Sequence, residues 1–470
     1  MSKLAATLQD ALRACGLRDG MTVSFHHHLR NGDHVLNMVL AEAARMGIRG
    51  LTVQASAIFD VHAPLIDHIR AGVVTGIETN YMGSRVGRAV SEGILDKPVV
   101  FRSHGGRPAA IESGRVSIDI AFIAAPAADR MGNANGLEGP AACGSLGYAM
   151  PDARHAGHTV VITDHVVPYP LAPASIEETD VDQVVPVDSI GDPKGIVSGT
   201  TQITRDPVGL AIARYAAAVI EHSGLMAEGF SFQTGAGGAS LAVTEFLKPA
   251  MKRAGVTGSF GLGGITGYLV DMLEEGYFSA LMDVQCFDLR AVRSIAQNPR
   301  HQEISASRYA SPLAKSAAIN SLDVVVLGAT QIDTAFNVNV HTDSNGYIMG
   351  GSGGHSDTAA GARLAMIVAP LFRARLPIVV DKVLCVSTPG STVDVLVTQR
   401  GIAVNPARPD LRDRLRAAGL PVYAIEDLKR MAEKITGVPR DIPPLGRAVA
   451  DVEYRDGAII DRIGCVAGAG

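Results

Sequence analysis

The chain repeats itself. Residues 117–135 read SIDIAFIAAPAADRMGNAN, and residues 321–339 read SLDVVVLGATQIDTAFNVN. At this offset of 204 (321 − 117), six of 19 positions are identical: Ser117/Ser321, Asp119/Asp323, Ala125/Ala329, Asp129/Asp333, Asn133/Asn337 and Asn135/Asn339. Chance gives about one. The same offset aligns IDHIRAGVVTG (66–76) with VDMLEEGYFSA (270–280). Upstream, Ser24–Phe25 pairs with Ser231–Phe232, and Gly47 and Gly50 pair with Gly255 and Gly258, at offsets of 207 and 208. The helix-like LAATLQDALRACGL near the start matches GLAIARYAAAVIEHSGL in position. Similarity over this much chain points to a duplicated domain.

Each half predicts the same series of helices and strands. TVVIT (159–163), LDVVVLG (322–328) and PIVVDKVL (377–384) read as strands buried on both faces, and helical patterns separate them. That alternation predicts an α/β fold: two tandem homologous domains with mostly parallel sheets. Residues 168–207 carry Pro168, Pro170, Pro173, Pro186, Pro193 and Pro207, and read as extended chain crossing between the halves. The boundary falls near Arg205, giving domains 1–205 and 206–470. Residues 254–270 are uncharged and Gly-rich, and read as loops with a short strand.

A length of 470 residues suits two large domains. The net charge of −5 provides no basic field, so nucleic acid is not expected as a partner. Cys15, Cys143, Cys286, Cys385 and Cys465 are odd in number and form no CxxC pair. They read as reduced thiols of a cytoplasmic protein. No signal peptide and no membrane-spanning run is expected.

In an α/β domain, ligands sit in the loops that follow strands. Three such loops stand out: HHHLRNGD (26–33), QTGAGGAS (233–240) and GYIMGGSGGHSDTAAGA (346–362). The last two put successive glycine amides before a helix, which suits an anion or a developing oxyanion. QTGAGGAS lacks the GxGxxG spacing of a dinucleotide fingerprint. His26, His28 and Asp33 are metal-type donors. Neighbouring residues at a strand end point to opposite sides, so no metal is expected. The repeat-paired Asn133, Asn135, Asn337 and Asn339 are either turn-makers or ligand contacts.

The segments FHHHLRNGD, QTGAGGASLAVTEFL, GSFGLGGITG, FNVNVHTDSNG and GGSGGHSDTAAGAR resemble the coenzyme A-transferase superfamily. Within it, nearly the whole chain resembles the citrate lyase α-subunit family. The resemblance implies the NagB/RpiA/CoA transferase-like fold in both domains. It also implies an acyl exchange, in which citrate and an acetyl thioester give citryl thioester and acetate. The thioester would be carried on the coenzyme-A-like arm of an acyl carrier subunit, or on coenzyme A itself, as co-substrate and not as a resident cofactor. A separate lyase (β) subunit would cleave the citryl group. A multisubunit complex with the chain as a homo-oligomer would follow.

Many members of the superfamily use a glutamate nucleophile. The segment where the resemblance would put it, SFGLGGITG (259–267), holds no carboxylate. The departure favours direct attack by a citrate carboxylate through a mixed anhydride, with Glu228, Glu245 and Glu274 as the acids that could reach in from elsewhere. Catalytic backbone donors are then expected from Gly350, Gly351, Gly353 and Gly354. The thioester arm is expected against Gly235, Gly237, Gly238, Thr266, Asn337 and Asn339. Citrate carries three carboxylates and needs fixed cations, for which the planar fork of arginine suits. Arg30, with Asn31 and His28 in the first loop, is the leading candidate, followed by Arg85 and by Arg107 beside His104. The alternatives are a citramalate or other carboxylate transferase, a catalytically silent binding or scaffold protein, and a metal-dependent hydrolase built on the histidine run.

Overall fold

The apolar runs become strands covered on both faces by helices. Residues of such strands are apolar at nearly every position. A computed structural model describes residues 2–197, 201–439 and 446–466. In the first half the strands are β1 (Thr22–Phe25), β2 (Leu51–Ala55), β3 (Val74–Thr79), β4 (Val99–Phe101), β5 (Ile120–Ala124), β6 (His158–Thr163) and β7 (Gln183–Pro186). In the second they are β8 (Phe232–Thr234), β9 (Gly258–Ile265), β10 (Phe278–Cys286), β11 (His301–Glu303), β12 (Val324–Gly328), β13 (Leu364–Val368) and β14 (Val395–Thr398).

The first sheet runs β7-β6-β5-β1-β2-β3-β4 and the second β14-β13-β12-β8-β9-β10-β11, every neighbour parallel. Seven strands thus keep one order in both sheets. In each, the central strand (β1 or β8) lies where the chain order reverses, and there the strand-end loops open a crevice. Each half also carries a small three-stranded sheet: Ala127–Asp129, Ala134–Asn135 and Val166–Val167 in one, Gln331–Asp333, Val338–Asn339 and Val379–Val380 in the other.

Three expectations change. First, residues 206–470 do not form one unit. β15 (Gly401–Val404) and β16 (Val422–Tyr423) extend the second sheet, but the hairpin of β17 (Ala448–Glu453) and β18 (Ile459–Gly464) joins the first, with β17 parallel to β4. The hairpin covers the open edge of β4. Its Val449, Ala450 and Val452 are buried, and Glu453 takes hydrogen bonds from Arg102 at 3.1 Å and pairs with Arg115 at 2.8 Å.

Second, PIVVDKVL is not a main-sheet strand. It breaks at Ile378, and only Val379–Val380 pairs, with Ile332–Asp333 of the small sheet. Third, the Gly-rich run 254–270 holds the long strand β9. Its glycines make room for packing: a Cβ at Gly258 would lie 2.2 Å from the Phe278 ring, and one at Gly264 would lie 2.3 Å from the Phe287 ring. The Pro-rich 168–207 stretch also contributes an edge strand, β7. The second half begins with the helix Pro207–His222, capped by Asp206 accepting from the Gly209 amide at 3.3 Å.

Candidate functional site between the two halves

The histidine loop leaves β1 and lies at the boundary between the halves. The carbonyl oxygen of His27 accepts from Nε2 of Gln285, at the end of β10, at 2.8 Å. His27 Nδ1 meets Ser56 Oγ at 2.5 Å. Its ring stacks on Tyr148 with centroids 4.9 Å apart, and His104 lies 4.4 Å from the same phenol. His26, His27, His28 and His104 are all deeply buried. Burial is the main cause that pushes His26 down to about 4 and His104 down to about 3, and holds His27 and His28 well below the ordinary imidazole range. All four imidazoles are neutral near pH 7. Each can therefore offer both a hydrogen-bond donor and an acceptor.

Arg30 faces this cluster. It adopts φ +52°, in the left-handed region that disfavours side chains. Its guanidinium carbon lies 4.8 Å from the centroid of Phe287 and 5.3 Å from that of Phe59, so the two halves together sandwich the cation. Among the described residues it makes no ion pair, and its Nε has no hydrogen-bond partner. Burial lowers its pKa from the usual arginine range. A half-buried cation lacking a counter-ion favours an anionic ligand.

Other buried polar atoms also have no partner among the described residues: both ring nitrogens of His28, Nδ1 of His104, Oδ1 of Asn80, Oε1 of Gln233, Oγ1 of Thr266 and Oε1 of Gln285. Buried polar groups are normally paired. A set of them at one boundary marks a ligand's place.

The glycine segment 350–354 closes the opposite side. His104 N donates to Gly353 O at 2.8 Å, and Gly353 N donates to Asn80 O at 3.2 Å. Gly350 N donates to His341 O at 3.2 Å. The amides of Gly350 and Gly353 therefore have acceptors inside the protein. Gly351 and Gly354 have none among the described residues, so those two amides remain as the free donors of the segment. A Cβ at Gly354 would lie 2.5 Å from Tyr309 Oη, whose oxygen already accepts from Gln233 Nε2 at 2.9 Å. In the QTGAGG loop, Gly237 caps and Gly238 opens the helix Gly238–Ala254, while Gly235 N donates to Val326 O at 2.8 Å.

Several candidates have their polar groups engaged within the protein. Arg85 is solvent-exposed and forks onto Asp60 at 2.9 Å and 3.0 Å. Arg107 is buried but bidentate to Asp152 at 2.6 and 2.5 Å, with its Nε on Gln54. Asn31 is exposed, and its carbonyl oxygen accepts from Val61 N. Asn337 is held by Asp333 and Gly390, and Asn339 by Gln331 and Thr342. Their amides build the turn after the small sheet, as Asn133 does with Asp129 in the first half. Asp33 caps residues 35–36 and binds His62 Nε2 at 3.0 Å. Glu228 and Glu274 are exposed and bound to Thr257 N and Arg290, and Glu245 is exposed on its helix. The metal-type donors that do meet, Asp283, Cys286 and His301, bond to one another: Asp283 Oδ2 lies 3.0 Å from both Cys286 Sγ and His301 Nε2.

Tyr148, Tyr309, Phe59, Phe287, Gln233 and Gln285 were not among the expected site residues. Two of them carried a sequence signal. Gln285 aligns with Tyr81 at the 204 offset, near the end of its strand. Tyr148 aligns with Ser352, within the repeat partner of the glycine segment.

A family model described as "Citrate lyase, alpha subunit (CitF)" matches residues 1–466. The citrate lyase alpha chain of Klebsiella pneumoniae is 54% identical over 461 residues, 98% of this chain and 91% of that one. That of Escherichia coli (strain K12) is 52% identical over 459 residues, 98% and 90% of the two chains. A crystal structure from Streptococcus mutans, described as the alpha subunit of citrate lyase in complex with citrate, superposes with a TM-score of 0.97 at 50% identity, covering 99% of this chain and 92% of that one. A 4-hydroxybutyrate CoA-transferase from Porphyromonas gingivalis shares the fold at 15% identity and a TM-score of 0.57, over 91% and 96% of the two chains. Matched from end to end in sequence and in fold, the chain belongs to the citrate lyase α-subunit family.

Proposed function

We propose that the site exchanges acyl groups between an acetyl thioester and citrate, giving a citryl thioester and free acetate. Arg30 carries the reading. It is a half-buried cation with no ion pair among the described residues, at the boundary of the halves, and a carboxylate of citrate would complete it. The relative from Streptococcus mutans is described as a complex with citrate, which supports that ligand.

A citrate carboxylate oxygen, oriented by the arginine fork, attacks the thioester carbonyl. The C–S bond breaks, and a mixed anhydride and a thiolate form. The thiolate then attacks the citryl carbonyl, and acetate leaves. Neutral imidazoles and free amides of the glycine segment face the two carbonyl oxygens as they gain charge. No glutamyl intermediate is required. Glu228, Glu245 and Glu274 point into solvent. The buried Asp357 beside the site has both oxygens engaged, by Ser103 Oγ and Gly105 N. The thioester would be presented on the coenzyme-A-like arm of an acyl carrier subunit, with a lyase subunit consuming the product.

Turnover of acetyl-coenzyme A with citrate, with citramalate run in parallel, tests the reaction. Borohydride added during turnover, followed by peptide mass spectrometry, tests the route. Citrate-dependent acetate release without any reduced glutamate is the expected result. A reduced glutamate overturns the anhydride route, and no acetate release overturns the exchange.

A further inference from the structure

One segment, Ser103–Arg107, is gripped from both halves by aspartates that the repeat makes equivalent. Asp152 is the third residue of the short helix Met150–His155, and Asp357 is the third residue of the short helix His355–Gly361. Each helix leads into its half's corresponding strand, β6 or β13, and both aspartates are fully buried. Asp152 holds Arg107 in a two-point ion pair within its own half. Asp357 reaches across. Its Oδ1 accepts from Ser103 Oγ at 2.9 Å and its Oδ2 from Gly105 N at 2.8 Å. Ser103 Oγ in turn accepts from Gly106 N at 3.0 Å, at the start of the helix Gly106–Glu112.

His104 sits between the two grips. Its amide is tied to Gly353 O and its imidazole edge lies beside Gly353, where a Cβ would come within 3.3 Å of Nε2. The ring packs on Tyr148, and its Nδ1 has no partner among the described residues. Gly105 leaves no slack: a Cβ there would lie 2.1 Å from Ala310 O and 2.8 Å from Asp357 Oδ1. The backbone that carries the imidazole therefore cannot shift without breaking hydrogen bonds to the other half.

We propose that Asp357 is a positioning residue that, paired with Asp152, clamps Ser103–Arg107 and so fixes the His104 imidazole over Tyr148 and against the glycine segment. This rests on the exchange reading only for its kinetic part. The groups facing Asp357 are Arg455 of the C-terminal hairpin at 3.6 Å, His104, and the phenols of Tyr148, Tyr309 and Tyr454. Burial raises the Asp357 pKa to about 6, so the grip has an acid limb within reach of assay.

The test is Asp357→Asn in the full chain. The substituted amide accepts at one oxygen and presents an N–H to the second donor. The kcat for acetyl-coenzyme A and citrate is expected to fall about 10- to 100-fold, as for a misplaced catalytic geometry, while the citrate KM stays within about threefold. The wild type is expected to show an acid limb near pH 6, and the variant to lack it. The His104 imidazole resonance, observed by nuclear magnetic resonance without turnover, is expected to move. Ser103→Ala, which removes one of the two donors, serves if Asp357→Asn does not fold; a smaller shift and a smaller fall in kcat are expected. An unmoved His104 resonance, or a loss carried by KM alone, overturns the clamp. An inactive wild type with a moving resonance overturns the exchange and leaves the clamp standing.

Discussion

The side-chain amide of Gln285 in the second half donates to the carbonyl oxygen of His27 in the first, across 2.8 Å. This bond ties the histidine loop to the strand end carrying Phe287, one of the two rings around Arg30. Replacing Gln285 with Leu removes the donor and leaves a buried carbonyl oxygen unpaired. That costs about 1–3 kcal/mol. A lower urea midpoint is expected, together with a fall in exchange of about tenfold, which corresponds to about 1.4 kcal/mol in the barrier. Urea titration and initial rates check it. A variant with wild-type midpoint and rate would show the bond to be idle.

Arg30→Lys separates charge from geometry. Lysine keeps the positive charge but lacks the planar fork and the flat face between Phe59 and Phe287. The loss of one charge-assisted hydrogen bond is about 1.5–3 kcal/mol. The citrate KM is expected to rise by at least about tenfold, with the KM for acetyl-coenzyme A unchanged. Steady-state kinetics with each substrate varied decides it. Equal rises in both KM values would place Arg30 outside the citrate pocket.

The two glycine walls should respond differently to alanine. A Cβ at Gly351 would lie 2.2 Å from Asn80 O, which is backbone and cannot move aside. At Gly235 the nearest atom would be Val326 O at 3.4 Å, and at Gly237 Ser240 Oγ at 3.7 Å. Gly351→Ala is therefore expected to destabilise the fold by over about 1 kcal/mol through overpacking. Gly235→Ala and Gly237→Ala are expected to leave the thermal midpoint in place. If they also lower exchange, a ligand is what occupies that open space. Thermal melts and rates on the three variants distinguish these cases, and a destabilised Gly237→Ala would contradict the spacing.

The duplication was legible because two copies of one fold must bury the same faces, so Asp129/Asp333 and the strands beside them kept matching residues. The loop that carries Arg30 was legible, since a polar run directly after an apolar strand marks a crevice. The C-terminal hairpin was not. A β-strand records which of its faces is buried but not which sheet lies beside it, so β17 reads equally well in either half. Arg107 and Asn337 show a related limit. A buried arginine or asparagine carries the same letters whether its donors meet a ligand or, as here, Asp152 and Asp333. Asp357 was passed over as one acid among 47 acidic residues, although it matches Asp152 at an offset of 205. The aromatic lining, Phe59, Tyr148, Phe287 and Tyr309, comes from four separate segments that only the folded chain brings together.

Acid should unfold the protein earlier than its carboxylates alone would require. Six buried histidines, His26, His27, His28, His104, His341 and His355, have folded pKa values pushed below the ordinary 6.5, chiefly by burial. The unfolded chain binds protons at these sites first. Their stabilising contribution is thus complete above pH 6.5 and is lost as pH falls toward the folded values near 3 to 4. With one proton taken up per histidine, six of them give a limiting slope of about 8 kcal/mol per pH unit. Asp357 works the other way. Its folded pKa of about 6 lies above the ordinary 3.8, so its contribution grows as pH falls through that window; burial also raises Asp164, Asp271, Glu303 and Asp394, which act in the same sense, but the six histidines, whose unfolded range is higher, take up protons first. The urea midpoint is therefore expected to drop steeply between pH 6.5 and pH 5, before most carboxylates titrate. A flat midpoint across that interval would mean that the histidines are protonated in the folded protein, and the neutral donors assigned to the site would be lost with it.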